Sequence, residues 1–226
     1  LSFSSETQLI TNLVNASWHG IILWYSPKAT INTNTVINNP NKGISLEYSG
    51  SSTVVNNFAE FNGYGILLIS SSNTKVTRNV ANRNSYGISL QGSDYVDVTI
   101  NIASNNYGTG ISLSGSSHNN VTHNTASDNV GTGIYLSGSH YNEIIENSAE
   151  RNKYGIYLSS SSFNDILNNI ARSNYFGISL TWFSNNNRVI DNDAKLCISY
   201  GGYLFMSNYN VVLHNDFSSS GSVGVY

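Results

Sequence analysis

The feature that most constrains this chain is a repeat. Glycines followed by an apolar residue recur at Gly20, Gly43, Gly65, Gly87, Gly110, Gly133, Gly155 and Gly177, then at Gly201 or Gly202, then at Gly224. The steps are 22 or 23 residues until a slightly longer one near the end. A second column keeps the same period without a gap: Asn12, Asn34, Asn57, Asn79, Asn101, Asn124, Asn147, Asn169, Asn192 and Asn215. Two independent columns on one period point to a solenoid, in which each unit buries its apolar face only by stacking on its neighbours.

The unit reads roughly N-x-[VI]-x-x-N-x-A-x-x-N-x-x-G-I-x-L. Ile156 and Leu158 flank an outward Tyr157, the alternation of a strand with one buried face. Ile166 and the column Ala59, Ala81, Ala103, Ala126, Ala149, Ala171 and Ala194 supply two more inward positions. The long leucine motif of a horseshoe and the 3.6-residue stripes of helical repeats are both missing. The expected fold is therefore all-β: a right-handed parallel β-helix of about ten coils, three short strands each, forming one domain over 1–226. At ~4.8 Å per coil the rod would be ~48 Å long. Both ends fall inside a coil and read as uncapped.

The recurring asparagines fit corners, where unusual backbone angles favour Asn and Gly, and stacked amides bond along the axis. A second such column, Asn39, Asn62, Asn84, Asn106, Asn129, Asn152 and Asn174, gives way to Cys197 and Ser220, so the last coils should be the least regular. Ser159 to Ser162 read as a polar turn.

Units such as "NSAERNKYGIYLSSSSFNDIL" and "NTASDNVGTGIYLSGSHYNEII" resemble the parallel β-helix repeats of periplasmic copper-binding proteins of nitrous oxide reductase maturation. They are also similar to repeats of carbohydrate-binding and sugar-hydrolase β-helices and of archaeal surface proteins. The resemblance covers essentially the whole chain and implies the fold. It spans binders, lyases, epimerases and structural rods, so function must come from particular residues.

Composition narrows the choice. Only 10% of residues are charged and the net charge is −3, which leaves no basic stripe for nucleic acid. The one cysteine excludes a disulfide framework, and no run approaches the roughly 18 apolar residues of a membrane span. An Asn-, Ser-, Gly- and Tyr-rich chain poor in lysine points to an extracellular, cell-surface or periplasmic protein.

Stacking sends the search for chemistry down columns. Four residues before each ladder Asn stand Lys75, Asp97, Asn120, Glu143, Asp165 and Arg188; one residue before stand Arg78, Ile100, His123, Glu146, Asn168, Asp191 and His214. Glu143, Glu146, Asp165 and Asp191 are expected on one face beside Arg188. Such a cluster would suit an enzyme on acidic polysaccharides, a lyase, epimerase or hydrolase using Glu143, Asp165 and Arg188, with calcium as its cofactor. The plainer expectation is a solvated face with Lys75 paired to Asp97 and Asp165 to Arg188. Copper delivery, implied by the resemblance, needs imidazole or sulfur ligands. Of the five histidines only His118 and His140 fall at nearly matching positions on consecutive coils, with Met206 and Cys197 far along the axis.

Aromatic residues form a further column. Tyr64, Tyr86, Tyr154, Phe176 and Tyr200 precede motif glycines, and Tyr135 and Tyr157 follow theirs by two. Tyr135, Tyr154, Tyr157 and Phe176 are the candidate binding residues, for glycans or a neighbouring rod. The main functional expectation is a noncatalytic structural or adhesive β-helix, without cofactor, that stacks end to end with its own copies or binds glycans.

Overall fold

The computed structural model describes residues 1–221, so Gly224 of the glycine column lies outside the described residues. Among the described residues there is no helix. The chain winds as a parallel β-solenoid with three faces. One face carries nine long strands, mostly of six residues, from His19–Trp24 through Tyr154–Ser159 to Tyr200–Phe205. A second carries ten three-residue strands, from Gln8–Ile10 to Val211–Leu213. Nine complete turns result.

The third face differs from the uniform three-strand coil read from the sequence. It holds strands only at Leu13–Asn15, Thr35–Ile37 and Phe58–Glu60, then continues as single parallel bridges from Val80 to Asp216. The reason lies in the spacing. Only four residues separate the two corner asparagines, Asn34 from Asn39 as well as Asn79 from Asn84, so this face never extends beyond three residues and in most coils is reduced to a single bridge.

Inward side chains repeat coil by coil. Ile156 and Leu158 of a long strand, Ile166 of a short strand and Ala171 of the third face are all fully buried. Each large aliphatic side chain so placed contributes about 1.5–3 kcal/mol relative to exposure. The glycine column exists because the coils meet closely there. A Cβ on Gly155 would lie 2.6 Å from the Gly177 carbonyl oxygen of the next coil.

Four corners close each turn, and one rule governs them. A residue with φ near +55° reverses the chain, and the residue after it points inward. The left-handed residues are Arg78, Ile100 and His123 as readily as Asn168, and the ladder asparagines are not among them. The asparagines are therefore not there for backbone freedom. Their carboxamides supply what a corner lacks. The Asn101 N–H donates to Asn124 Oδ1 at 2.9 Å, and Asn124 N–H to Asn147 Oδ1 at 2.9 Å, so a side-chain oxygen replaces the carbonyl that a sheet would have offered. Each Nδ2 closes the remaining gap: Asn124 Nδ2 donates to Val98 O at 2.8 Å and to Asn147 Oδ1 at 3.0 Å.

The same device recurs with other residues. Asn84 N–H donates to Asn106 Oδ1 at the third-face corner, and Asn142 N–H to Asn164 Oδ1 before the short strands. After the long strands serine takes over, as Ser116 N–H donates to Ser139 Oγ and Ser139 N–H to Ser161 Oγ. The serine run thus contains a ladder rung. Cys197 interrupts its column: its buried thiol, pushed up in pKa mainly by burial, lies 3.2 Å from Ala194 O.

Asn124→Ala should cost about 1–3 kcal/mol, because it orphans the Asn101 N–H in the interior. Cys197→Asn should raise stability by roughly 1 kcal/mol by restoring an acceptor. Thermal melts against an exposed Ser114→Ala control check both; a neutral Asn124→Ala would contradict the role given to the ladder.

Candidate functional site

The long-strand face presents rings to solvent. Alternation sends Tyr157 outward between the core residues Ile156 and Leu158, Tyr154 also reaches solvent because the alternation is broken at the buried Gly155, and parallel register lays each outward residue over its counterpart. Tyr154 stacks on Phe176 with centroids 4.9 Å apart and on Tyr157 at 4.8 Å. Phe176 continues to Tyr200 at 5.9 Å, and Tyr135 lies on Tyr157 at 5.2 Å. The spacing is that of the coils, so the rings cover one another's faces and present edges and hydroxyls outward. Tyr203 departs from the pattern, tilted 50° to Phe176 and 35° to Tyr200.

Beside these rings runs a groove of about 320 Å³ lined by Tyr154, Tyr157, Phe176, Thr181, Tyr200 and Tyr203. Thr181 Oγ1 donates to Tyr157 Oη at 3.1 Å and holds that ring in place. Burial, with the neighbouring phenols, raises the Tyr154 pKa, so its hydroxyl stays protonated at neutral pH. Between Tyr157 and Tyr203, its register partners, lies Ser179, fully buried and with no partner for its Oγ. A second groove of about 330 Å³ on the same face includes Tyr64, Tyr86 and Tyr135, above a floor where Ser112 Oγ donates to Ser89 Oγ at 3.0 Å. The structure thus groups Tyr154, Tyr157 and Phe176 at one groove and places Tyr135 at the other. Tyr203 and Thr181 were not singled out from the sequence, although both share a strand face with residues that were.

On the short-strand face Glu143 is the register partner of Asp165, and Asp165 of Arg188. Arg188 Nη1 donates to Asp165 Oδ2 at 2.9 Å, so the guanidinium compensates that carboxylate. Lys75 and Asp97 are register partners but form no ion pair. Glu146 and Asp191 do not join the cluster. They occupy the left-handed corner position past the strand, where Glu146 meets His123 at 2.6 Å and Asp191 meets His214 at 3.5 Å. Glu143 instead lines a shallow hollow of about 320 Å³ with Tyr95, His118, Asn120 and Tyr141. Here the structure shows a ring column the sequence reading missed: Tyr95, His118, Tyr141 and Phe163, stacked at 5.0–5.1 Å. The signal was an aromatic residue recurring one place before Val96, Asn119, Asn142 and Asn164.

Charge is concentrated on the third face and its corner. Arg151 bridges Asp128 at 2.7 Å and Glu150 at 2.9 Å; Arg172 pairs with Asp193, and Lys195 spans Asp193 at 3.2 Å and Asp216 at 3.3 Å. Hydrogen bonds from Arg151 hold Asp128 below the usual carboxylate range, and those from Arg172 do the same for Asp193. Asp216 is drawn down to about 2, first by its bonds to Ser218 and then by Lys195.

Comparison with known proteins fits this architecture. A family model described as periplasmic copper-binding protein (NosD) matches residues 69–195 and 146–226, and one described as right handed beta helix region matches residues 1–101. No curated protein matches the chain by sequence. Among solved structures, the A-module of mannuronan C-5 epimerase AlgE6 from Azotobacter vinelandii is similar with TM-score 0.79 and 14% identity, over 98% of this chain and 73% of that one. The AlgE4 A-module from the same organism gives 0.75 and 15%, over 97% and 74%. The Dettilon tailspike protein gives 0.71 and 14%, over 99% of this chain and 58% of its own. At these identities the structural likeness speaks for the fold, and the solenoid is right-handed.

The copper implied by the first family does not find a donor set here. His118 is sandwiched between Tyr95 and Tyr141, and His140 Nδ1 accepts the Ser162 N–H at 3.1 Å. The Cys197 thiol is buried against backbone carbonyls, and no group of three or more His, Cys, Asp or Glu side chains converges among the described residues.

The lowered carboxylates fix an acid limit. A carboxylate whose folded pKa is depressed stabilises the fold above its unfolded value and loses that contribution as pH falls through the folded one. The melting temperature should hold from neutral pH to near the ordinary value of 3.8 and then drop towards about 2, where Asp216 titrates. Asp193→Asn should flatten part of that drop. A melting temperature unchanged down to about pH 2 would contradict the assignment.

Proposed function

The chain belongs to the periplasmic copper-binding protein (NosD) family, and from that premise we propose that it is a noncatalytic extracytoplasmic β-helix that binds glycans along its long-strand face. The observation that carries this reading is the groove walled by Tyr154, Tyr157, Phe176, Tyr200 and Tyr203, with the Thr181 hydroxyl inside it. Ring edges, phenols and small hydroxyls offer a sugar both apolar contact and hydrogen-bond partners, which is the mixture a carbohydrate requires. Solved β-helices of this shape include proteins named as epimerases of mannuronan, which favours a glycan over other ligand classes.

An enzyme acting through Glu143, Asp165 and Arg188 is the weaker reading. Asp165 is already committed to Arg188, and the hollow beside Glu143 is shallow.

Calorimetric titration with an oligosaccharide panel tests the proposal. Phe176→Ala and Tyr157→Ala should each weaken binding by about tenfold, equivalent to roughly 1.4 kcal/mol, with unchanged melting behaviour of the strands. Glu143→Gln and Asp165→Asn should leave binding as it was. Affinity untouched by the ring substitutions, or sugar turnover abolished by the carboxylate ones, would replace this reading with the other.

A further inference from the structure

The seven long strands from Tyr64–Ile69 to Tyr200–Phe205 contain no Asp, Glu, Lys, Arg or His. The contrast with the rest of the rod is sharp. Outward positions of the short strands hold Lys75, Asp97, Glu143, Asp165 and Arg188, and the third face carries the paired network around Asp193. Charge is kept off one face over seven consecutive coils. The two aromatic grooves lie on that same face, joined where Tyr135 of one stacks on Tyr157 of the other.

Building on the glycan-binding reading, we infer that the ligand is a neutral polysaccharide lying along the solenoid axis across both grooves, and not a polyuronate. An acidic chain brings one carboxylate per sugar, and each must be stripped of water against rings and hydroxyls without a counter-charge. Two cations border the track: Lys153, whose ammonium sits 5.6 Å from the Tyr154 ring centre, and Lys42, the register partner of Tyr64, which is already paired with Glu47 at 2.7 Å. Cations at two separate coils cannot serve a carboxylate on every residue of such a chain. Neutral sugars meet no such penalty, and the hydroxyls on offer match theirs in strength.

The length of the uncharged track sets the ligand's size. From the coil of Tyr64 to that of Tyr203 there are six steps, ~29 Å along the axis, room for several sugars in a row.

The experiment is calorimetric titration of the whole chain with neutral oligosaccharides and size-matched oligouronates, at low and high salt. A neutral oligosaccharide should bind at least about tenfold more tightly than any uronate, with little response to salt. Tyr86→Ala in one groove and Phe176→Ala in the other should each weaken binding of a long neutral chain. Only Phe176→Ala should weaken binding of a short one. Tighter uronate binding, or an affinity that collapses with salt, overturns the inference and leaves the glycan-binding reading standing. A silent Tyr86→Ala overturns the lengthwise path. Absence of binding to every sugar of both classes removes the glycan-binding reading itself.

Discussion

A coil that turns four corners must find a partner for the amide at each one, and this requirement shapes the whole rod. Within a strand the neighbouring coil supplies a carbonyl. At a corner the left-handed residue swings that carbonyl away, and an inward N–H would be left dry in the interior. The usual solution is a side-chain oxygen of the next coil, as when Asn79 N–H donates to Asn101 Oδ1 and Ser93 N–H to Ser116 Oγ. Left-handed backbone costs an ordinary residue about 1–2 kcal/mol, and several such residues occur in every turn. A fold that tolerates Ile100, Arg78 and Glu146 in that conformation is held by the bonds that follow them.

Once the corners are fixed, the outward positions are free to vary without disturbing the core, and the three faces have diverged. The short strands and the third face carry charge, mostly in pairs that satisfy one another. The long strands carry rings and hydroxyls. Because the register is parallel and in step, a tyrosine repeated in the sequence becomes a stack in space, and a break in the repeat becomes a gap. Ser179, standing where Tyr157 and Tyr203 stand in the adjoining coils, interrupts the ring column, and those two tyrosines wall the groove on either side of it. Function on this scaffold is written in departures from the repeat.

Much of this was legible in the sequence, because a fixed period converts counting into neighbourhood. The column from Lys75 to Arg188 is the register column of the structure, and the Ile, Leu and Ala positions are the core. What the sequence hid came from the strand ends. Glu146 lies only three residues from Glu143, yet a strand of three residues ends between them, and the corner carries it off to His123. Tyr203 was obscured by the extra residue between Cys197 and Tyr200, which lengthens the step from Phe176 to Tyr200 to 24 residues. The serine ladder was masked by the abundance of serine. The division between left-handed residue and amide donor left no compositional mark, since the former can be almost any residue.

The most direct test of the corner account is native-state amide hydrogen exchange in the middle coils. The backbone N–H groups of Asn101 and Asn124, each held by a side-chain oxygen of the next coil, should exchange as slowly as the strand amides of Val98 and Val121, opening only with the fold as a whole. Fast exchange at those two corners, with the strands still protected, would mean that the amide ladders do not hold the coils together.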